Sequence, residues 1–163
     1  MKTTIAIGVV ALTLVHSGAA AQTAAERAQI LRDFQVSVAD YNSRHRCLDM
    51  FPEAINAATP APKIFTLPVA MVFRQIIAKA LVERDGVATL SGVSNVPHPV
   101  VLEPFPSTWL QEFPRVLQDA LPPLPAPLEY RLIGHDLVIR DQEADVIVGV
   151  LREAVGPALT VIR

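Results

Sequence analysis

The sequence is poor in the residues that mark several common classes of protein. It has one cysteine, seven scattered glycines and only 6% aromatic residues in 163. A single cysteine cannot close an intrachain disulfide, so a disulfide-stapled scaffold is excluded. The scattered glycines form no glycine-rich loop of the kind that cradles phosphate groups. No apolar run approaches the roughly 20 residues that a membrane-spanning helix needs.

Charge is scarce and almost balanced. Lys and Arg number 14 against 16 Asp and Glu, which gives a formal net charge of −2. Without a basic excess, neither nucleic acid nor an anionic membrane surface is an expected partner. A hydrophobic fraction of 51% is too high for a disordered chain, and the length suits one domain. We therefore expect one folded domain with its own apolar core.

The first 21 residues have the features of a cleaved signal peptide. Lys2 supplies a short positive start, and residues 5–15 form an apolar run that is too short to cross a bilayer. Ala19 and Ala21 then place small side chains at positions −3 and −1 of a cut before Gln22, as signal peptidases require. We predict an exported protein, periplasmic or secreted, with no stable membrane span after cleavage.

Two helices are predicted in the first half of the mature chain. A capping box formed by Thr23 and Glu26 opens the first, which we place over 24–45 because its apolar residues recur every three or four positions. The second helix, over 67–85, ends before Gly86, a residue suited to the left-handed conformation that follows many helices.

The C-terminal part predicts an antiparallel sheet with a fixed register. Gly134 and His135 suit the centre of a two-residue hairpin turn, which places Glu129 directly opposite Arg140. The same register collects four apolar residues on the other face, namely Tyr130, Leu132, Leu137 and Ile139. A third strand at 146–151 is apolar on both faces, and we expect the helices to cover both.

These elements predict the domain organisation and the fold class. Residues 22–163 form a single α+β domain, with N-terminal helices packed on a small antiparallel C-terminal sheet, a β-meander. A further short strand is predicted at 87–93, and four prolines make 96–106 an irregular connection. The proline-rich stretch 121–127 is a stiff spacer. We expect the last 12 residues to be loosely held.

Two blocks of the sequence form a recognisable pattern. The first covers residues 64–77, and the second joins a proline spacer at 121–125 to a hairpin at 128–141 and ends with Ile147 and Val148. Together they resemble an uncharacterised family of small exported bacterial proteins. The chain departs from the family pattern at two positions: it has His135 where the family commonly has Arg, and Gly149 where the family often has Asp. The resemblance implies export and a shared fold, and it supplies no catalytic residue.

Metal-binding and nucleophilic side chains do not form a known pattern. His45 and Cys47 are separated by one residue, whereas zinc ligand pairs are separated by two to four. His98 lies between prolines and His135 in a turn, so both are expected to be solvated loop residues. Cys47 is either buried and inert or available to link two chains. We predict no metal and no cofactor.

The preferred hypothesis is a non-enzymatic binding protein. Its partner is an unknown envelope or extracellular protein, or a small apolar ligand, and the edge of the strand at 146–151 offers a place for a partner strand. The residues proposed for contact are Trp109, Tyr130, Arg131, Asp136 and Asp141. The alternative is an envelope hydrolase that uses the acidic residues of the hairpin turns, which are Asp136, Asp141, Glu143 and Asp145.

Overall fold

Three helices precede a three-stranded sheet in the computed structural model, which describes residues 16–50, 63–83, 98–106, 108 and 111–156. The elements are α1 (His16–Met50), α2 (Leu67–Glu83), α3 (Arg115–Ala120), β1 (Leu128–Ile133), β2 (Asp136–Asp141) and β3 (Val146–Leu151). The strands are antiparallel and neighbours in chain order, which makes the sheet a meander. The predicted α+β class is confirmed, while the strand predicted at 87–93 lies outside the described residues.

The first helix is longer than predicted at both ends. It runs from His16 to Met50, so Thr23 and Glu26 lie inside it and the capping box does not mark its start. The reason is the alanine-rich stretch at 19–28, whose high helix propensity lets the helix begin earlier. The side chains of residues 23–29 are all exposed, and Ile30 is the first that packs against the core.

The main core lies between the two long helices and one face of the sheet. Phe34 of α1 and Phe73 of α2 are fully buried, with ring centroids 4.7 Å apart. Phe65, just before α2, meets Phe73 edge-on at 5.3 Å. A Cβ atom at Gly149 would lie 3.3 Å from the Phe65 ring, so the absence of a side chain there lets the ring approach β3.

The hairpin has the predicted register throughout. The paired residues are Leu128 and Asp141, Glu129 and Arg140, Tyr130 and Ile139, Arg131 and Val138, Leu132 and Leu137, and Ile133 and Asp136. Gly134 has a φ of 59°, a conformation that glycine adopts without a steric penalty. The predicted charge pair is also present, because Arg140 Nη1 donates to Glu129 Oε1 at 3.0 Å.

The second face of the sheet is covered, within the described part of the chain, by an irregular segment, so the expectation of helical cover is wrong. Residues 98–106, called the strap from this point on, lie over this face and form a small second cluster. The buried members are Phe105, Ile133, Val138 and Ile147. An irregular chain segment can do this because its Phe105 side chain packs against buried apolar residues of all three strands.

Residues just after β3 are also better packed than expected. Ala154 and Val155 are buried, and the Val155 N–H donates to the carbonyl oxygen of His135 at 3.1 Å. The prediction of a loosely held end is therefore wrong for 152–156, which the sheet and the hairpin turn hold in place.

Candidate functional site

The strap occupies part of the outer edge of β3. The Leu102 N–H donates to the Ile147 carbonyl at 2.7 Å, and the Ile147 N–H donates to the Glu103 carbonyl at 2.9 Å. Phe105 adds a third bond to the carbonyl of Asp145 at 2.9 Å. The edge that we expected to be free for a partner strand is thus already paired at its first two residues.

The backbone of the strap is strained at Leu102. Its φ is 71°, in the left-handed region that a branched, non-glycine residue rarely adopts. Leu102 and Glu103 together oppose Ile147, and Glu103 N–H also reaches the carbonyl of Val100 at 3.3 Å. This is the arrangement of a β-bulge whose first residue is ordinarily glycine. The Leu102 side chain is 51% exposed, so burial does not compensate for the strain.

Phe105 anchors the strap to the sheet. Its ring is buried against Ile133, Val138 and Ile147. The guanidinium of Arg140 lies over the ring, 4.8 Å from its centroid, in a cation–π contact. Phe105 and a short run of backbone hydrogen bonds therefore hold the second half of the strap against the sheet.

Asp136 binds the start of the strap to the residues that follow β3. Its Oδ2 lies 3.1 Å from His98 Nδ1 and accepts from Arg152 Nη1 at 2.9 Å, while its Oδ1 accepts the Glu153 N–H at 2.7 Å. Burial raises the pKa of this carboxyl, but the Glu153, His98 and Arg152 donors outweigh burial and hold the pKa below its ordinary value. The Asp136 carboxylate thus connects distant parts of the chain through hydrogen bonds.

A second polar cluster lies on the strap side of the hairpin. Glu129 accepts hydrogen bonds from Arg131 and Arg140, and Arg140 also donates to Asp145 Oδ1 at 2.6 Å. Burial raises the pKa of Glu129, but the hydrogen bonds and charge of Arg131, together with hydrogen bonds from Arg140 and Gln142, outweigh burial and hold the pKa below its ordinary value. Two cations and two anions neutralise each other in this cluster, which leaves no net charge for an ionic ligand.

Asp141 fastens the other end of β2. Its Oδ1 accepts the backbone N–H groups of Glu143 at 3.0 Å and Ala144 at 3.1 Å, and its Oδ2 accepts the Tyr41 hydroxyl of α1 at 3.1 Å. Asp136 and Asp141 are separated by the length of β2, about 17 Å at the rise of a β-strand. They do not converge, so the geometry that the hydrolase alternative requires is missing from this pair.

The proposed contact residues are mostly inside the fold. Asp136 and Asp141 are 2% and 0% exposed, and Tyr130 is buried with its hydroxyl donating to the Pro122 carbonyl at 2.9 Å. Arg131 is partly exposed and donates to the Gln111 carbonyl at 3.0 Å. Trp109 lies outside the described residues. The three buried side chains hold the fold together and do not reach its surface.

The predicted cleavage residues and metal-binding residues add little to the site. Ala19, Ala21 and Gln22 lie within α1, and their side chains are outside the described residues, as is that of Cys47. In the part of the chain that the structure describes, no three His, Cys, Asp or Glu residues are grouped to hold a metal ion. No described helix is long and apolar enough to cross a membrane.

The feature that sequence analysis missed is an apolar stripe on the outer face of α2. Leu67, Met71 and Val82 are 73%, 55% and 66% exposed. They follow the i, i+4 and i+15 positions of one helix face, whereas the buried residues of α2 occupy the opposite face. The sequence does indicate this stripe, because α2 has more apolar residues than a single core-facing side of a helix can hold.

No protein-family model, curated protein or solved structure matches the chain. The proposed function therefore rests on the geometry of the strap, the fastening carboxylates and the stripe on α2.

Proposed function

We propose that this protein is exported to the periplasm or the medium and acts by binding a partner protein. The observation that carries the proposal is the stripe on α2, where three large apolar side chains, those of Leu67, Met71 and Val82, are exposed on one face of the helix. Apolar side chains that line up on one surface of a folded protein are typical of interaction sites.

The stripe favours a helical partner. From Leu67 to Val82 it extends for about 22 Å at the rise of an α-helix. Met71, Gln75, Ala78 and Val82 follow each other at spacings of four, three and four residues, which is the spacing of a helix–helix seam with one polar residue, Gln75, in it. The small side chain of Ala78 leaves room for a knob from the facing helix. An amphipathic helix of an envelope or extracellular protein fits this surface.

The acidic residues support binding over the alternative of hydrolysis. Asp136, Asp141 and Glu129 each accept two or more hydrogen bonds from within the chain. A carboxyl that serves as a general acid at neutral pH needs a raised pKa, but the pKa values of Asp136 and Glu129 are lowered. All three carboxyl groups are held in place by these hydrogen bonds, and the lowered pKa values of Asp136 and Glu129 favour their ionised form.

The position of the proposed cleavage point is compatible with export. Gln22 would become the first residue of the mature chain, and the exposed side chains of residues 23–29 pack against nothing in the core. The first packed residue, Ile30, lies more than two helical turns further on. Removal of residues 1–21 thus takes away none of the core contacts that the structure describes.

The experiment is site-specific photocrosslinking in producing cells, with the mature mass measured on the same material. A photoreactive residue at Met71 should yield one crosslinked species of defined mass, and adding Val82→Glu should abolish it. The same probe at Val36, an apolar residue of α1 that is exposed even more than Met71, is the matched control and should give no such species. Equal crosslinking at both positions, or a species that survives Val82→Glu, would contradict the proposed surface. An exported mass that still includes residues 1–21 would contradict the cleavage.

A further inference from the structure

We propose that the strap is a replaceable occupant of the β3 edge: an extended peptide segment of a partner protein takes its place, antiparallel to β3, with an aromatic side chain in the position of Phe105. This inference rests on the proposed binding function and names a second surface and the chemistry of what it takes. The edge strand of a sheet offers unpaired N–H and C=O groups to an incoming strand, and side-chain pockets then select the sequence.

The hydrogen bonds of the strap already show how a strand docks at this edge. Leu102, Glu103 and Phe105 use the backbone groups of Asp145 and Ile147, and the strand-like pairing is limited to one antiparallel bridge between Pro104 and Val146. Pro104 and Val146 form the non-hydrogen-bonded pair of this bridge, because the Phe105 N–H donates to the Asp145 carbonyl and the Ile147 N–H donates to the Glu103 carbonyl on either side of it. The proline thus takes no hydrogen bond away from this edge, and an extended partner segment can form the same bonds to Asp145 and Ile147 whatever residue it has at that position.

The strap is also less stable in its place than a regular strand. Leu102 is held at a φ of 71°, where a residue with a Cβ atom is strained, and its side chain is half exposed. An incoming segment with ordinary extended backbone dihedrals avoids this strain. The strain therefore lowers the free energy needed to displace the strap. Glycine at position 102 would remove the strain and raise that free energy.

The anchor specifies the chemistry of the partner segment. The space beneath the strap is lined by Ile133, Val138 and Ile147, and Arg140 lies over the Phe105 ring. Apolar walls with a cation above favour an aromatic ring over an aliphatic side chain, because only the ring offers a π face to the guanidinium. The partner segment is thus an extended peptide with one aromatic anchor.

The probe for this proposal is a fluorescein-labelled peptide with the sequence of residues 98–106, titrated into the full-length protein and followed by anisotropy. In the unmodified protein, the covalently attached strap competes at an effective concentration in the millimolar range. Phe105→Ala weakens the attached strap, so the peptide should bind this variant at least about tenfold more tightly, in proportion to the fraction of open edges. Leu102→Gly should have the opposite effect and weaken peptide binding below that of the unmodified protein.

Two matched controls make the result specific. Phe113→Ala removes a half-buried aromatic residue that stacks on Tyr130 in the main core, and it should leave peptide affinity unchanged. A peptide with alanine in place of the phenylalanine should bind none of the variants. Amide exchange adds a structural readout: the Ile147 N–H should exchange faster in Phe105→Ala and regain protection when the peptide is added.

Defined outcomes would overturn the proposal. These are a folded Phe105→Ala protein that does not bind the peptide, equal affinity for the alanine peptide, or tighter binding by Phe113→Ala as well. If Phe105→Ala does not fold, amide exchange of the Ile147 N–H is compared between Leu102→Gly and the unmodified protein instead. Slower exchange in Leu102→Gly supports a strap that opens, and unchanged exchange refutes it. A negative result for the α2 stripe can be distinguished from a negative result for the strap, because the Val82→Glu protein should bind the peptide with the same affinity as the unmodified protein.

Discussion

At the scale of single residues, the most informative side chains are two buried carboxylates that connect distant parts of the chain. Asp136 contacts His98, Arg152 and the backbone of Glu153, and Asp141 contacts Tyr41 and the turn after β2. A buried carboxylate with several donors is stable only while all of them are in place. Each Asp therefore makes the position of one segment depend on that of another.

We predict that Asp136→Asn lowers the free energy of unfolding at pH 7 by about 1.5–3 kcal/mol, the usual value of hydrogen bonds to a charged group. The folded-state pKa of Asp136 is lowered, so its contribution is present above the unfolded pKa near 3.9 and is lost as the pH falls through the folded pKa. The difference between variant and parent should shrink below about pH 4.

Urea unfolding at pH 7 and at pH 3 measures this difference. Asp40→Asn is the matched control, because Asp40 forms an exposed ion pair with Arg44 one helical turn away. Such pairs contribute little, and the variant should match the parent at both pH values. A loss for Asp136→Asn that is the same at both values would contradict the pH dependence.

At the scale of elements, the accuracy of sequence prediction depends on how local the determining contacts are. The hairpin is predictable in every pair, because Gly134 and the alternating side chains of β1 and β2 specify its register within 14 residues. The bounds of β3 are also correct, and α2 begins at the predicted residue.

The strap and the fastening role of Asp136 are not predictable in this way, since they depend on contacts far apart along the chain. His98 and Asp136 are separated by 38 positions, and Phe105 meets residues from all three strands. No local periodicity indicates such contacts. Acidic residues beside a turn are equally typical of solvated turns and of buried fasteners, so their burial could not be deduced from sequence.

The contact between α1 and the sheet gives a prediction at this scale. Tyr41→Phe removes the hydroxyl that donates to Asp141 at 3.1 Å and should lower stability by about 1.5–3 kcal/mol, as for other hydrogen bonds to charged groups. Ser43→Ala is the control, because the Ser43 hydroxyl bonds within its own helix, to the carbonyl of Ala39. Thermal unfolding of both variants tests this, and equal melting temperatures would show that the Tyr41 bond does not hold α1 to the sheet.

At the scale of the whole molecule, the domain consists of a well-packed body and a first helix that extends beyond it. The body begins at Ile30, where α1 first meets the core. In the turns just before Ile30, the side chains of residues 23–29 are all exposed. The stability of the domain should therefore be independent of residues 1–21.

We predict that a protein starting at Gln22 melts at the same temperature as the full chain, within the error of the measurement. Phe34→Ala in the same helix provides the contrast: Phe34 is fully buried, and its truncation should cost about 3–5 kcal/mol. Calorimetry of the three proteins tests this. A large destabilisation on removing residues 1–21 would show that this segment is part of the folded body.

The strap also limits pairing between copies of this protein through the sheet edge. An open sheet edge is a template for pairing with another copy, and repeated pairing leads to aggregation. By covering Val146 and Ile147, residues 98–106 keep the start of that edge from other copies in a concentrated compartment. A partner segment that displaces the strap gives the same protection, since the edge stays paired throughout. Colloidal stability and recognition thus depend on the same few backbone hydrogen bonds.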